Sequence, residues 1–296
     1  MKTGFIAIVG RPNVGKSTLL NSMLGEKIAI VSNKPQTTRT RITGILTEGE
    51  NQFVFLDTPG LIKSRNKLGD YMVKAINSTI GSTDAAIVVV EAGVKPGATD
   101  LAVIDKIKSR ELPAILAINK IDKVTGEKVG QTILEYKDLY DFKAIVPVCA
   151  ENGKGVKDVV SEASLFLSEG VWMFGADEIT DQPERQLAAE IIREKILRTT
   201  DDEIPHGTAV VIEEFKEEGN LLSIRAEIFC EKASHKRIII GKNGEQLKKI
   251  GTYARQDLEN FFGIKIYLDL WVKVKENWRD SEVNLTNFGF GKKDFD

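Results

Sequence analysis

Gly10-Arg11-Pro12-Asn13-Val14-Gly15-Lys16-Ser17 is the stretch on which the reading of this chain turns. It fits GxxxxGK(S/T), directly behind an apolar run at 5–9 and at the head of a helical pattern at 15–24. In that strand, loop and helix setting the glycines let backbone N–H groups curl around phosphate oxygens, and the helix points its positive end at the same charge. Lys16 is then the cation for the β- and γ-phosphates, and Ser17, followed by Thr18, offers a hydroxyl to Mg²⁺. A glycine turn that binds nothing is the plain alternative, and the flanking strand and helix weigh against it.

Working outward, Val- and Ile-rich runs at 5–9, 52–56, 85–90, 113–118 and 144–148 alternate with amphipathic segments at 15–24, 67–80, 98–110, 126–140 and 155–167. Short apolar runs separated by helical patterns predict an α/β P-loop domain, a mostly parallel sheet with helices on both faces. Ligands in such sheets collect beyond the carboxyl ends of the strands, so those ends are where chemistry is expected.

Asp57-Thr58-Pro59-Gly60 closes the run at 52–56. A carboxylate there can hold Mg²⁺ through water, and the Gly60 N–H can face a γ-phosphate. Asn119-Lys120-Ile121-Asp122 closes the run at 113–118. Asp122, expected as a buried carboxylate, can accept from guanine N1–H and the exocyclic amine, whereas adenine presents an acceptor and is rejected. Asn119 would reach the opposite base edge, and the Lys120 stem would cover the ring. Cys149-Ala150-Glu151 follows the last run, where the Ala150 N–H can meet guanine O6. Together these select GTP, with an ATPase or a kinase as the option Asp122 argues against.

The alternation stops at 170–183, a stretch without period that ends in Asp181-Gln182-Pro183, a helix-start signal. Beyond it come a helix at 183–198, strands at 208–215 and 221–229, two helices around Gly241 to Gly244 and a strand at 264–274, an α+β order. The expected division is a GTP-binding domain at 1–172, a linker at 173–184 and a second domain with a C-terminal tail at 185–296. The chain as a whole has a formal charge of −2. Yet residues 232–279 hold eleven Lys/Arg against five Asp/Glu, leaving thirty against thirty-eight elsewhere. Such asymmetry is an electrostatic footprint for nucleic acid on the second domain, although a solvated lysine face reads the same way. Two distant cysteines suggest neither a disulfide nor a zinc site and fit a reducing cytoplasm. No stretch reaches the roughly 18 apolar residues of a membrane span.

With GRPNVGKS, PQTTR, DTPG, NKID and CAE in order, the first half resembles the translation-factor class of small GTPases. The resemblance implies nucleotide contacts at Gly10, Arg11, Pro12, Asn13, Val14, Gly15, Lys16, Ser17, Thr18, Asp57, Gly60, Asn119, Lys120, Asp122, Cys149, Ala150 and Glu151. It makes 36–40 the first switch, with Thr38 closing onto Mg²⁺ and the γ-phosphate and Thr37 as its close competitor. Catalysis falls to Asn13, Lys16, Thr38, Asp57 and Gly60, and Mg²⁺ to Ser17, Thr38 and, through water, Asp57. Cys149 stands where the class usually has Ser. Leu61 stands where many signalling GTPases have the glutamine that orients the attacking water, which a leucine cannot do. In related GTPases with a hydrophobic residue there, an asparagine at the position of Asn13 helps bind K⁺ in place of an arginine finger; a purely structural Asn13 is the competing reading.

Ile238-Ile239-Ile240-Gly241-Lys242-Asn243-Gly244 runs into a helix with Leu247, Ile250, Ala254 and Leu258 on one face. This resembles the GxxG loop of a KH domain, which clamps about four nucleotides of single-stranded nucleic acid. Gly241, Lys242, Asn243 and Gly244, with Lys236 and Lys248 beside them, are the expected RNA contacts. The order of elements matches the type II KH arrangement. A type II KH domain behind this GTPase domain resembles the Era family, bacterial GTPases of small ribosomal subunit assembly. That resemblance implies GTP/GDP as ligand, Mg²⁺ with K⁺ as a further candidate, and the 3′ end of 16S rRNA on the small subunit as partner, with no DNA. It also implies rRNA maturation as the setting and peripheral association with the inner membrane, which no residue here shows. The competing function is an RNA-binding module whose P-loop domain senses nucleotide and largely does not hydrolyse it.

Overall fold

The period-two alternation of the first run explains the first layer: Ile6 and Ile8 face one way, Ala7 and Val9 the other, and all are buried. A strand apolar on both faces must be covered on both, which puts it in the middle of a helix-covered sheet. The structure, a computed structural model, describes residues 1–61, 64–201 and 203–291. The first half runs β1 (Lys2–Val9), α1 (Lys16–Leu24), β2 (Ile42–Glu48), β3 (Asn51–Asp57), α2 (Lys67–Gly81), β4 (Ala85–Glu91), α3 (Ala98–Lys108), β5 (Ala114–Asn119), α4 (Gly126–Tyr136), β6 (Ala144–Pro147), α5 (Val156–Ala163) and β7 (Ser168–Glu169). The sheet order is β2-β3-β1-β4-β5-β6, parallel except for β2 against β3, with β7 antiparallel on the start of β1. Leu19 and Leu20 of α1 and Val159 of α5 cover one face, while Ile76 of α2, Val103 and Ile107 of α3 and Tyr136 of α4 cover the other.

Three local expectations need correction. β2 was not expected, because Thr43 and Gly44 interrupt its apolar run; pairing with β3 supplies the order that the local pattern lacks. The helix expected over 126–140 ends at Tyr136, and the hydroxyl of Tyr140 donates to Leu112 O (2.9 Å), holding the loop against the start of β5. The helix expected over 155–167 ends at Ala163 in a short 3₁₀ turn, Ser164–Phe166. The segment 173–184 lies along the outer edge of β2: Ile45 N–H donates to Ile179 O (2.9 Å) and Thr180 Oγ1 to Thr43 O (2.7 Å). An exposed sheet edge is thereby covered.

The second half runs α6 (Glu184–Thr199), β8 (Ala209–Glu218), β9 (Leu221–Cys230), α7 (Ala233–Ile240), α8 (Glu245–Phe262), β10 (Lys265–Val274) and α9 (Glu282–Asn287). Its sheet is ordered β10-β9-β8, with β9 and β10 parallel and β8 antiparallel to β9. Ile192 and Ile196 of α6 and Ile250, Ala254 and Leu258 of α8 bury their stripes on Leu222, Ile224, Ala226 and Ile228 of β9. What reads as a tail is not loose. Trp278, fully buried, joins Leu285 of α9 to Leu68, Tyr71 and Met72 of α2 in a cluster shared by both halves.

Candidate functional site

A cleft of about 460 Å³ opens at the carboxyl edge of the first sheet. Asn13, Gly15, Lys16, Ser17 and Thr18 line one wall, Thr37, Thr38 and Gly60 another, and Asn119, Lys120, Asp122, Cys149 and Glu151 the far end. Gly15 is the N-cap of α1 and makes no side-chain cap, so the first-turn N–H groups remain donors for an anion. Lys16 Nζ folds back to Gly10 O (3.1 Å) and Arg11 O (3.0 Å). Burial pushes its pKa down to about 8, with the Asp57 charge opposing. A Cβ on Gly60 would lie 2.7 Å from both Cα and N of Pro12, so only glycine lets this strand end meet the P-loop backbone.

Behind the cleft wall Ser17 Oγ donates to Asp57 Oδ2 (2.5 Å) and lies 2.9 Å from Thr38 Oγ1. Thr37 also lines the cleft, but its hydroxyl turns from Ser17 and donates to Lys34 O (2.7 Å). Asp57 is fully buried, and its Oδ1 has no hydrogen-bond partner among the described residues. Burial pushes its pKa up to about 6, against the pull of Lys16 and the Ser17 bond. Two hydroxyls beside a carboxylate with an unpaired oxygen are an oxygen-only donor set, which fits a hard cation such as Mg²⁺.

At the base end one side chain ties three motifs together. Asn119 donates from Nδ2 to Val14 O (2.8 Å), while its Oδ1 accepts from Lys120 N (2.8 Å) and Ala150 N (3.0 Å). The Ala150 N–H expected at guanine O6 therefore holds the Cys149–Glu151 turn against β5, and contact with a base would have to be shared with Asn119. Lys120 adopts a left-handed conformation (φ 64) that turns the chain into a 3₁₀ turn, Ile121–Lys123. That turn lifts Asp122 clear of the sheet, so the carboxylate expected to be buried is exposed at the rim. The Cys149 thiol beside it, donating a hydrogen bond, holds its carboxyl below the usual range. Glu91, at the end of β4, pairs with both Arg11 (3.4 Å) and Lys120 (3.1 Å).

In the second half Gly241 and Gly244 both have positive φ, 76 and 80, and Asn243 between them has φ 52. A Cβ on Gly241 would lie 2.6 Å from Gln246 Cβ, so the loop that joins α7 to α8 requires glycine there. Lys242, Asn243 and Lys248 are exposed, and Lys236 is half-buried. A groove of about 480 Å³ starts at Gly244 and follows α8 through Leu247, Lys248, Gly251, Thr252 and Arg255, with Ile266 to Leu268 and Leu270 of β10 as its other wall. Lys236, Lys242 and Asn243 are not among the residues that line it.

Residues 5–120 match a family described as 50S ribosome-binding GTPase, and residues 203–279 match the KH domain. The chain is 49% identical to GTPase Era of Ruminiclostridium cellulolyticum over 290 residues, 98% of this chain and 97% of that one. Against GTPase Era of Clostridium kluyveri the identity is 48% over 291 residues, 98% and 99% of the two chains. The chain belongs to the Era GTPase family. An Aquifex aeolicus Era variant bound to GDP·AlF₄⁻ superposes with a TM-score of 0.95 at 40% identity, covering 98% of this chain and all of that one. Era in complex with MgGDPNP and nucleotides 1506–1542 of 16S ribosomal RNA superposes at 0.94, also 40% identical, covering 98% of this chain and 99% of that one. As an Era GTPase the chain is a GTP-hydrolysing P-loop enzyme followed by a KH domain.

Sequence reasoning missed several residues that this Era fold brings to its sites. Ile30, Val31, Ser32 and Asn33 line the same cleft as the P-loop, yet they belong to a stretch without helical or strand period. Glu91 carries a weak signal, an acidic residue closing an apolar strand. Arg255 and β10 enter the groove only because α8 and β10 pack side by side, which local pattern does not show.

Proposed function

We propose that this chain binds Mg²⁺ and GTP in the first cleft, hydrolyses the γ-phosphate, and seats single-stranded RNA at the 3′ end of 16S rRNA in the α8–β10 groove. The setting is small-subunit assembly and rRNA maturation. The observation that carries the hydrolytic reading is the meeting of Ser17, Thr38 and buried Asp57 beside Lys16. Ser17 and Thr38 would hold the ion by their hydroxyls and Asp57 through water, and the ion would neutralise charge on the phosphates. Lys16 stands against the same phosphates, and the Gly60 N–H faces the γ-phosphate. Asp122 selects guanine at the rim, and Lys120, braced by Glu91, covers the ring. The RNA reading is supported by the relative solved with MgGDPNP and 16S rRNA nucleotides 1506–1542. Its contacts are placed on Gly241 to Gly244, Lys236 and Lys248, to which the groove adds Arg255.

K⁺ belongs to the same proposal. Leu61 packs on the apolar core and has no polar atom to offer water. Asn13 Nδ2 donates to Asn33 O (2.9 Å), and no hydrogen bond is made by its amide oxygen among the described residues, which leaves an oxygen for a monovalent cation. Equal hydrolysis rates in K⁺ and Na⁺ at matched ionic strength would remove that element. The division into 1–172, 173–184 and 185–296 is supported by separate apolar clusters in the two halves, residues 292–296 lying outside the described residues. Cytoplasmic location with peripheral contact at the inner membrane face rests on family resemblance; among the described residues no helix is long and apolar enough to cross a membrane. The deciding experiment is multiple-turnover GTP hydrolysis with and without a 16S 3′-end RNA, together with sequencing of RNA crosslinked to the protein in cells. Absence of turnover in both conditions would leave only the nucleotide-sensing RNA module.

A further inference from the structure

Three consecutive residues of the first switch are anchored in three different directions. Thr37 O accepts from Arg193 Nη2 of α6. Thr38 Oγ1 meets Ser17. Arg39 leaves the GTPase domain altogether: Nη1 donates to Thr208 O (2.6 Å), and Nη2 to His206 O (2.9 Å) and Pro205 O (3.3 Å). The guanidinium also lies over the indole of Trp278, 5.8 Å from the ring centre. Trp278 is itself fixed by a bond from Nε1 to Gly207 O (2.9 Å) and by packing on Leu68, Tyr71 and Met72 of α2.

Arg39 is 2% exposed and makes no ion pair with a carboxylate among the described residues. Its charge is held by carbonyl dipoles and an aromatic face, an arrangement that works only while the turn at 205–208 and Trp278 stay in place. A buried guanidinium of this kind is a costly way to fasten a loop, and it immobilises the backbone one residue from the hydroxyl beside Ser17. Catalytic geometry is sensitive to displacements of that size.

We infer that Arg39, held by the 205–208 carbonyls and Trp278, is a positioning residue for GTP hydrolysis: the C-terminal domain sets Thr38 against the Mg²⁺ site in cis. The inference rests on the reading of Thr38 as a residue of that site. It makes turnover depend on the docking of a domain that touches no phosphate. GDP, which lacks the γ-phosphate that Thr38 closes on, should be indifferent to the clasp.

The test uses the full chain. Arg39→Ala should lower kcat on the order of 10- to 100-fold, weaken Mg²⁺-GDPNP binding, and leave GDP affinity within about twofold. Methylguanidinium should restore part of the rate to Arg39→Ala and none to Thr38→Ala, a rescue that a folding defect would not show. Trp278→Phe, which keeps an aromatic face and loses the bond to Gly207, should shift the same quantities in the same direction by less. Wild-type kcat in Arg39→Ala would overturn the inference, and so would equal losses of GDP and GDPNP affinity. Wild-type turnover in Thr38→Ala would instead bring down the reading of Thr38, and the clasp's purpose with it.

Discussion

Lowering the pH from 7 to 5 should weaken Mg²⁺-dependent GTP binding by about tenfold through Asp57 alone. The carboxyl is buried beside Ser17, and its pKa is pushed up to about 6. At pH 5 only about one carboxyl in eleven is then ionised, so binding that needs the carboxylate loses about tenfold, near 1.4 kcal/mol. An unshifted carboxyl would lose less than about 1.1-fold over the same interval. The sign follows from linkage: the folded carboxyl holds its proton more tightly than the unfolded one. The unliganded protein therefore loses stability as pH rises from about 4 to 6. A cation that selects the ionised form must displace that proton below pH 6. The nucleotide's terminal phosphate titrates in this range as well, so the quantity to measure is a ratio. GDPNP affinity in Mg²⁺ would be taken by calorimetry from pH 5 to 8 for the wild type and for Asp57→Asn. A wild-type to variant ratio that stays flat across this range would refute the assignment of Asp57 to the Mg²⁺ site.

Gly60→Ala should reduce GTP turnover by about tenfold or more, because its Cβ meets the Pro12 backbone at 2.7 Å and backbone cannot swing aside; phosphate release measures it, and normal turnover would show slack between these loops. Asp122→Asn should move preference from guanine toward xanthine nucleotides by on the order of 100-fold, since xanthine presents an oxygen where guanine presents an amine; competition binding reads the switch, and unchanged GTP affinity would misplace the base end. Replacing Lys242 and Asn243 together with Asp should abolish binding of single-stranded RNA while calorimetric GTP affinity stays as in the wild type. Wild-type RNA affinity, measured by anisotropy, should fall with salt at a log–log slope of about −0.7 per phosphate neutralised, and full RNA binding by the double variant would remove the loop from the interface.

What was legible in the sequence was local. The P-loop, Asp57-Thr58-Pro59-Gly60 and Asn119-Lys120-Ile121-Asp122 each sit where a strand stops, and a strand end with its turn is specified by a few adjacent residues. The GxxG loop was legible for the same reason: Gly241 is required by its own backbone and by Gln246, five residues away. Ranking Thr37 against Thr38 was beyond spacing, because the difference is one of direction: one hydroxyl turns to Lys34 within the loop and the other to Ser17 across the cleft. Asp122 looked buried because its partner is a buried base edge, whereas the 3₁₀ turn after β5 sets it at the rim. The roles of Arg39, although it closes the PQTTR motif, and of Trp278 were hidden for a stronger reason. An arginine in a polar loop and a tryptophan in a charged tail have ordinary surface readings, and only the docking of the two halves buries them.

The docking of the two halves is held by a small set of separable contacts. Apart from the Trp278 cluster, the contacts are largely charged. Glu194 of α6, fully buried, receives Lys27 (2.7 Å), Lys195 (2.8 Å), Arg198 (2.9 Å) and the Val31 N–H (3.0 Å). Lys27 also reaches Asp257 of α8 (2.8 Å). Burial alone would raise the Glu194 pKa, yet the bonds from Lys195 and Lys27 outweigh it and hold the carboxyl below its usual range. An apolar interface of equal size would be the stronger choice for permanent fusion, since buried charges lose much of their attraction to desolvation. What a charged interface has instead is discreteness: each contact is made or lost as a unit, and Glu194 keeps Lys195 and Arg198 of its own helix when Lys27 and the Val31 N–H leave. The partners contributed by the switch side, Lys27, Val31, Thr37 and Arg39, flank or line the nucleotide cleft. Arg193 likewise keeps Glu190 if Thr37 O moves, and Lys27 is 41% exposed, so the switch-side contacts add modest, separable increments to the docking rather than one irreversible lock.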